Sequence, residues 1–376
     1  FRTAPTYGSA SAYKAGGLVQ FSIPSLQRSF FENNTTYLTV RTIFTAGAAN
    51  TAGTDFKYFL SGGAYSQFSK WALRSASGMA LDNIDNPGYL MGLLMNVGMS
   101  AGQKIADSNN ILTSNISANT NVGLKINSTT AGNGLIIDWA IPMIGVWNSS
   151  KYFPAWGNEL LLELTLNPLT SFILNGTATA NTAFTAYTMT NLELVTQVLE
   201  FSPESFQMLQ GMYGPMIQVK SETFGSYSIP ALSSGTIDMP FNIRVKSLKR
   251  IMMICSPTNV GEGAGYGSVN PNLDNYQFIS NGLQYPQRGI QCTKPAEVFN
   301  QLLRAFGALY TTEKSTTIPI SSFRKASTAY VTGVYSAYAT TSTVAAFDGT
   351  SNHQFYMLLD LDSLSNGKEG LYNGIN

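Results

Sequence analysis

The side chains that most often carry enzymatic chemistry are few and scattered in this sequence. The single histidine, His353, lies in the segment FDGTSNHQF, and no Gly-x-Ser-x-Gly motif supplies a nucleophile for it. We interpret His353 as an exposed loop residue. One histidine and two distant cysteines also argue against a zinc site.

Two pairs of aspartates have a spacing that suits general acid–base chemistry or a divalent cation. Asp82 and Asp85 are expected in a loop, whereas Asp360 and Asp362 alternate with leucines in an expected strand. Either pair would suit a glycosidase or a metal site. A strand with one wet face gives the same alternation, and we favour that interpretation. We therefore predict no catalytic, cofactor-binding or metal-binding residues and no cofactor.

A glycine-rich stretch, GEGAGYG at residues 261–267, could suggest a phosphate-binding loop. A dinucleotide fingerprint must open directly into a helix, and a Walker motif must contain a lysine. The residues that follow, SVNPN, are typical of a loop, so we interpret the stretch as a surface loop.

The only two cysteines, Cys255 and Cys292, lie 37 residues apart. They permit one disulfide bond but no disulfide framework. We favour the simpler interpretation of two buried thiols.

Other local motifs have weaker chemical meaning. Short basic clusters occur at residues 246–250 and 324–325. They could face DNA or a membrane, but we favour polar contacts between subunits. Asn-x-Ser/Thr triplets, which matter only on a secretory route, begin at Asn33, Asn34, Asn115, Asn127, Asn148 and Asn175.

Composition narrows the classes of function further. Only 11% of the 376 residues are charged, against about 25% in a typical soluble domain, and the formal net charge is +1. A nucleic-acid binder or an electrostatic membrane binder normally carries a basic excess, so both are disfavoured. No run of about 18 apolar residues predicts a transmembrane helix. So few charges suit a surface that is largely covered by copies of the same chain.

Most of the chain has the pattern of short strands separated by Gly, Pro, Asn and Ser. This density of strands indicates sandwiches or barrels, and hence an all-β fold. The expected strands are 18–23, 37–44, 160–166, 191–201, 216–219, 241–245, 250–255, 276–279 and 355–361.

Two helices interrupt this pattern, and their surroundings match. They are predicted at residues 88–105 and 296–309, directly after Pro87 and Pro295. Each helix is preceded by a short polar segment that contains a glycine followed by an apolar residue. These glycines are Gly78 and Gly282, which are 204 positions apart. The match indicates an internal duplication of one strand–turn–helix unit.

The junction between the two halves is expected at residues 202–215. Ser202 and Pro203 have the pattern of a helix start, and Gly211 and Gly214 are expected to end this short helix. At about 150 residues per domain, the length also suits two domains. We predict domains at residues 1–202 and 213–376, joined by a helical linker at 203–212.

The sequence resembles the double jelly-roll major capsid proteins of tailless icosahedral DNA viruses. It is most similar to those of virophages and polinton-like viruses, and more remotely to those of nucleocytoplasmic large DNA viruses. The segments that carry the resemblance are 141–166 (IPMIGVWNSSKYFPAWGNELLLELTL), 191–209 (NLELVTQVLEFSPESFQML), 226–252 (SYSIPALSSGTIDMPFNIRVKSLKRIM), 281–286 (NGLQYP), 294–303 (KPAEVFNQLL) and 355–376 (FYMLLDLDSLSNGKEGLYNGIN).

The resemblance implies two eight-stranded jelly rolls in tandem, each with a short helix in a long loop between its strands F and G. It also implies a non-enzymatic virion protein that forms homotrimers, whose six jelly rolls make a pseudo-hexagonal capsomer of an icosahedral shell. The implied partners are other copies of the chain, neighbouring capsomers, penton and minor capsid proteins, and an inner membrane or packaged DNA on the inner face.

Two other functions fit the composition. One is a secreted sandwich protein that binds or cleaves carbohydrate, in which the tryptophans at positions 71, 139, 147 and 156 would stack on sugars. Trp139 and Trp147 lie in apolar, strand-like segments and are better interpreted as core residues. The other alternative is an adhesin.

Overall fold

The computed structural model describes most of the first half of the chain and part of the second. The described residues are 1–6, 12–46, 54–58, 62–98, 115–117, 120–122, 124–126, 135–149, 152–157, 159–175, 184–214, 221–229, 235–242, 247–255, 268, 273–280, 282–306, 316, 318, 320–323 and 355–361.

Short and long β-strands make up most of the regular structure, as an all-β prediction requires. The strands before residue 200 are β1 (Arg2–Thr3), β2 (Tyr13–Lys14), β3 (Leu18–Ile23), β4 (Ser29–Ala46), β5 (Thr54–Tyr58), β6 (Phe68–Ser75), β7 (Ala80–Asp85), β8 (Asn115–Ser117), β9 (Thr120–Val122), β10 (Leu124–Ile126), β11 (Leu135–Pro142), β12 (Tyr152–Pro154), β13 (Leu160–Leu166), β14 (Ile173–Asn175) and β15 (Phe184–Glu200). Those after it are β16 (Arg250–Ile254), β17 (Asn275–Ser280), β18 (Leu283–Gln291) and β19 (Tyr356–Asp360).

The helices are short and lie between strands. The α-helices are α1 (Pro87–Gly98), α2 (Val146–Ser149), α3 (Pro203–Tyr213) and α4 (Pro295–Ala305), and 3₁₀ turns occur at Gly63–Gln67, Leu169–Ser171 and Ile320–Phe323.

Two antiparallel sheets face each other in the first half. One has the order β1-β15-β4-β11, with β2 and β12 paired to its long strands, and the other has the order β3-β13-β6-β7. Leu160, Leu162, Leu164 and Leu166 of β13 are buried and alternate with half-buried residues. Because alternate side chains point to one face, this strand contributes a row of leucines to the core between the sheets.

The second half has its own hydrophobic core. It contains the paired strands β16 and β19, the β17–β18 hairpin and helix α4. Val298, Leu302 and Ala305 of α4 are buried at helical spacing, as the sequence predicts.

Helix α1 belongs to the first half by sequence but contacts both cores. Tyr89, Leu90 and Met91 pack against the first core, whereas Leu93 and Val97 are buried in the second. Its sequence, PGYLMGLLMNVG, contains no charged residue, and a helix that is apolar on all sides is expected to be buried on all sides.

The short helix α3 forms where the sequence predicts it. The Oγ atom of Ser202 accepts a hydrogen bond from the Ser205 amide (3.2 Å), Pro203 is the first helical residue, and Gly214 ends the helix with a φ of 76°. The expectation that Gly211 also stops the helix is wrong, because Gly211 lies inside it.

The strand predictions are confirmed wherever the chain is described, with one exception. Segments 18–23 and 160–166 match β3 and β13, and 37–44, 191–201, 250–255, 276–279 and 355–361 overlap β4, β15, β16, β17 and β19. In the predicted strand 241–245, residues 241 and 242 are described and do not belong to a strand. The predicted strand 216–219, the end of the first predicted helix at 99–105 and the end of the second at 307–309 lie outside the described residues.

Candidate functional site

Most of the candidate catalytic and phosphate-binding residues lie outside the described part of the chain. His353, Asp362 and the 261–267 stretch lie outside them. Asp360 is described, and the Nε atom of Arg304 donates a hydrogen bond to its Oδ2 atom over 3.1 Å. This carboxylate therefore already serves an ion pair that attaches α4 to the end of β19.

The other pair of aspartates is not in a loop, and that prediction is wrong. Both residues belong to strand β7, which pairs with β6 along its whole length. Because they are three positions apart, Asp82 and Asp85 point to opposite faces. Asp82 is 3% exposed, whereas Asp85 is exposed, so they do not form a carboxylate pair.

The carboxylate of Asp82 is closely enclosed by the backbone of the loop that precedes α2. Its Oδ2 atom accepts a hydrogen bond from the Val146 amide over 2.7 Å, and its Oδ1 atom has no hydrogen-bond partner among the described residues. Gly145 has a φ of 73°, and a Cβ atom there would lie 2.2 Å from Oδ2. Only glycine therefore permits this contact.

Burial sets the charge state of Asp82. Removal from water raises the pKa of its carboxyl group to about 7, because the charged form is poorly solvated there. The backbone amides of Val146 and Phe224 favour the charged form and oppose this rise. Asp82 is thus a buried acid that exchanges its proton near neutral pH.

The 221–229 segment lies over the edge of β7, beside Asp82. Asn83 and Gly225 form a parallel β-bridge, and the Asp85 amide donates a hydrogen bond to the Oγ atom of Ser226 over 3.0 Å. Phe224 packs against the first core. The segment that follows the linker helix is therefore attached to the first half of the chain.

The two cysteines are not joined in a disulfide bond. Cys292 is fully buried and Cys255 is half-buried. Burial raises the pKa of the Cys255 thiol to about 11, so it is largely protonated and unreactive at neutral pH.

Three of the four tryptophans are core residues, including the two that the sequence analysis assigned there. Trp71, Trp139 and Trp147 are at most 2% exposed and offer no surface to a sugar. Trp156 is half-buried and lines an open groove of about 360 Å³ beside Arg28. Phe30 and Phe206 contact its ring edge-on, with centroids 4.6 and 5.0 Å away, so Trp156 also packs α3 onto the first half.

Two basic residues of the 246–250 cluster are described, and both make contacts within the chain. Lys249 donates a hydrogen bond to Glu222 over 2.8 Å, and the guanidinium of Arg250 lies 5.9 Å from the ring centroid of Phe306. The expectation that the 246–250 cluster joins subunits stays a prediction. Lys246 and residues 324–325 lie outside the described residues.

The glycosylation triplets differ in accessibility. Asn33 is 3% exposed and Asn34 is exposed. Asn115 lies in β8, Asn148 in α2 and Asn175 in β14, and Asn127 lies outside the described residues.

Large apolar side chains are exposed at many positions, among them helix α3 and the turns of two hairpins. The outer face of α3 carries Met208 and Met212, which are 72% and 74% exposed. Next to the two hairpin turns, Met79 directly precedes β7 and Leu283 is the first residue of β18, and each is 61% exposed. Such side chains on an otherwise weakly charged surface are typical of contact sites between proteins.

Within the described part of the chain, the structure supports neither a metal site nor a membrane-spanning helix. No group of three or more His, Cys, Asp or Glu side chains there is arranged to hold a metal ion. Among the described helices, none combines the length and the apolar character that crossing a bilayer requires.

Comparison with known proteins gives matches in structure only. Neither a protein-family model nor a curated protein matches the sequence. The structure is similar to a quasi-atomic model of the PBCV-1 virus capsid, with a TM-score of 0.50 and 13% identity, over 93% of this chain and 92% of that one.

Two further solved structures are similar at lower scores. The crystal structure of the STIV MCP matches with a TM-score of 0.44 and 14% identity, over 84% of both chains. The crystal structure of the mavirus major capsid protein matches with a TM-score of 0.34 and 12% identity, over 69% of this chain and 53% of that one.

The similarity to the PBCV-1 capsid structure extends over nearly the whole length of both chains. The chain therefore has the double jelly-roll fold, as the resemblance in sequence implies.

Proposed function

We propose that this protein is a viral major capsid protein, a structural subunit of the virion shell. The observation that carries this proposal is the match in fold to a virus capsid structure over 93% of the chain. The resemblance in sequence to capsid proteins of tailless icosahedral DNA viruses rests on motifs in both halves and is independent of this match.

The two cores support a division of the chain into two domains. We assign residues 1–202 to an N-terminal jelly roll, 203–212 to a helical linker and 213–376 to a C-terminal jelly roll. The capped helix α3 lies at this junction, and the two clusters of buried residues fall on either side of it apart from the contribution of α1.

We further propose that the subunit is a homotrimer. Two jelly rolls per chain give a trimer six similar units, which tile a lattice of six-fold neighbours. The hairpin turns support this arrangement, because Met79 in one half and Leu283 in the other expose an apolar side chain at corresponding positions. Low charge over the whole sequence supports contacts between copies as well.

A structural role without catalysis accounts for the polar groups that the structure describes. The Asp360 carboxylate is held by Arg304, and Asp82 and Asp85 are on opposite faces of one strand. We propose that the partners are other copies, neighbouring capsomers, penton and minor capsid proteins, and an inner membrane or packaged DNA at the inner face. The protein would thus be located in the virion.

Electron microscopy of the purified protein tests this function. Concentrated protein should form pseudo-hexagonal capsomers about as wide as six jelly rolls in a ring, and sheets or shells of them. Protein that stays as separate single chains under all salt conditions would contradict the proposal.

A further inference from the structure

The groove beside Trp156 has no role in the proposed function. Its volume of about 360 Å³ lies near the lower end of the range in which proteins bind small molecules. Three parts of the chain form it: the segment before β4, the segment after β12, and helix α3. Its lining residues are Ser25, Gln27, Arg28, Trp156, Gly157, Phe206 and Gln210.

Arg28 lines this groove in a backbone conformation that is unfavourable for arginine. Its φ is 58°, in the left-handed region where a Cβ atom is crowded. The other described non-glycine residues with positive φ are Asn86 and Asn191, and asparagine adopts this region more readily. The Phe201 amide donates a hydrogen bond to the Arg28 carbonyl group over 2.9 Å, which holds the strained turn in place. Such strain is concentrated at binding and active sites, where the surrounding structure maintains it.

The lining of the groove is positively charged. Arg28 is the only charged residue among the seven lining residues that the structure describes. It forms an ion pair with Glu200 over 3.6 Å, in which the two side chains are 38% and 70% exposed. An ion pair this long and this exposed is weak, so the carboxylate of a ligand can replace Glu200. A guanidinium group can donate two parallel hydrogen bonds to such a carboxylate.

The uncharged polar residues of the groove suit hydroxyl groups. Gln27 and Gln210 are exposed, and their amide groups can both donate and accept hydrogen bonds, as hydroxyl groups do. The Oγ atom of Ser25 accepts a hydrogen bond from the Gly157 amide over 3.1 Å, so its own hydrogen atom can still be donated to a ligand. A ligand with several hydroxyl groups therefore finds partners on both sides of the groove.

The indole of Trp156 adds an apolar surface. Phe30 and Phe206 contact it edge-on and hold it in one orientation, while part of the residue stays exposed in the groove. Aromatic rings pack well against the C–H groups of a sugar ring. One small groove thus combines contacts for a carboxylate, for hydroxyl groups and for a C–H face.

We propose that this groove binds the terminal residue of an acidic glycan, a sugar ring that carries a carboxylate. Arg28 binds the carboxylate, Gln27 and Gln210 bind hydroxyl groups, and Trp156 contacts the ring. The volume suits one sugar residue, and because the groove is open, the rest of the glycan extends into solvent. This inference does not depend on the proposed capsid function.

Titration of the purified full chain with methyl glucuronide tests the site. Calorimetry should show saturable binding at one site per chain. Tryptophan emission should change with it, and this change reports on Trp156 because the other three tryptophans are buried. Methyl glucoside, which has the ring without the carboxylate, and acetate, which has the carboxylate without the ring, should each bind at least about tenfold more weakly. No saturable binding of methyl glucuronide, or equal binding of either control compound, would overturn the proposal.

Arg28→Asn removes the guanidinium group and places in the turn a residue that tolerates its φ, so the variant is expected to fold. It should weaken the binding of methyl glucuronide by about tenfold or more. Arg2→Asn is the matched control, since Arg2 forms an exposed ion pair with Glu193 over 3.3 Å and does not line the groove. Unchanged binding in Arg28→Asn, or an equal loss in Arg2→Asn, would contradict the assignment.

Gln210→Ala tests the other side of the groove. Gln210 is exposed on α3 and alanine favours a helix, so the fold should be kept. The loss of a neutral hydrogen bond should weaken binding about threefold to tenfold. Gln207→Ala, at an exposed position of the same helix outside the groove lining, should bind as the wild type does. The same affinity in both variants would place the ligand elsewhere and overturn the proposal.

Discussion

The two hairpin–helix units of this chain have the same plan and different surroundings. In the first half, β6 and β7 are followed by α1, and in the second half, β17 and β18 are followed by α4. Each turn contains a glycine with positive φ, Gly78 at 86° and Gly282 at 79°, and each helix begins at a proline. The plan agrees with the internal duplication that the sequence indicates.

The helices differ in what they contact. Helix α1 has no charged residue and packs against both cores, whereas α4 buries one face in the second core and carries Glu297 and Arg304 elsewhere on its surface. The difference shows that two units of the same plan take different positions because the surfaces of their helices carry different residues. Because α1 has no charged residue, it can be buried against two cores. Because α4 has a polar face, it lies at the edge of one core.

The largest expected effect comes from Leu93→Ala in α1. Leu93 is fully buried, so the cavity should lower the free energy of unfolding by about 2–5 kcal/mol. The matched variant is Leu302→Ala in α4, a fully buried leucine of the same core. Urea unfolding can report the halves separately, because all four tryptophans lie before residue 157 and both cysteines lie after residue 254.

Leu93→Ala should lower the urea midpoint of thiol labelling, because Leu93 is buried in the second core, and also that of tryptophan emission, because other residues of α1 pack against the first core. Leu302→Ala should lower mainly the midpoint of thiol labelling. Equal shifts of both probes in both variants would remove the distinction between the two helices.

A second pair of variants tests the similarity of the two turns. Gly78→Ala and Gly282→Ala each force a side chain into the left-handed region, at a cost of about 1–2 kcal/mol. A Cβ atom would meet no atom within 4 Å at either position, so backbone conformation is the only source of the effect among the described residues. Thermal unfolding should show similar losses for both variants, and a loss in only one would break the comparison.

Arg304→Ala removes the ion pair between α4 and the end of β19, to which α1, with no charged residue, has no counterpart. Because the Arg304 side chain is 42% exposed, the loss should be at most about 1 kcal/mol. Unfolding at low and high salt should show a smaller difference from wild type at high salt, where the pair is screened. A larger loss that is independent of salt would indicate that Arg304 acts through packing.

The smallest effect on stability is expected from Met79→Ser and Leu283→Ser at the hairpin turns. Both side chains are 61% exposed, so the free energy of unfolding should change by no more than about 0.5 kcal/mol. If these turns contact other copies, both variants should weaken assembly in light scattering. Asn83→Ser, at an exposed polar position of the same first hairpin, is the control and should leave assembly unchanged.

The sequence predicted the elements whose signals are local. The alternation of leucines in 160–166 and the Ser202-Pro203 start of α3 depend only on neighbouring residues, and both are confirmed. The apolar sequence of α1 also contained the signal for contact with two cores, although the sequence analysis predicted only a helix there.

Asp82 could not have been placed from sequence. The run LDNIDN at residues 81–86 is rich in turn-forming residues, so a loop was the expectation, yet pairing with β6 makes most of it a strand. The Asp82 carboxyl group is enclosed by Gly145 and Val146, which are far away in the chain. No local pattern signals such a contact.

Sedimentation equilibrium of the purified protein tests the central claim, that this chain is a capsid subunit, most directly. We predict a mass of three chains, with larger assemblies at high concentration, and no stable single chain at about micromolar concentration, because obligate interfaces of about 2,000 Å² or more do not dissociate readily. A single chain that persists at this concentration, with neither trimers nor particles in any salt condition, would contradict the account.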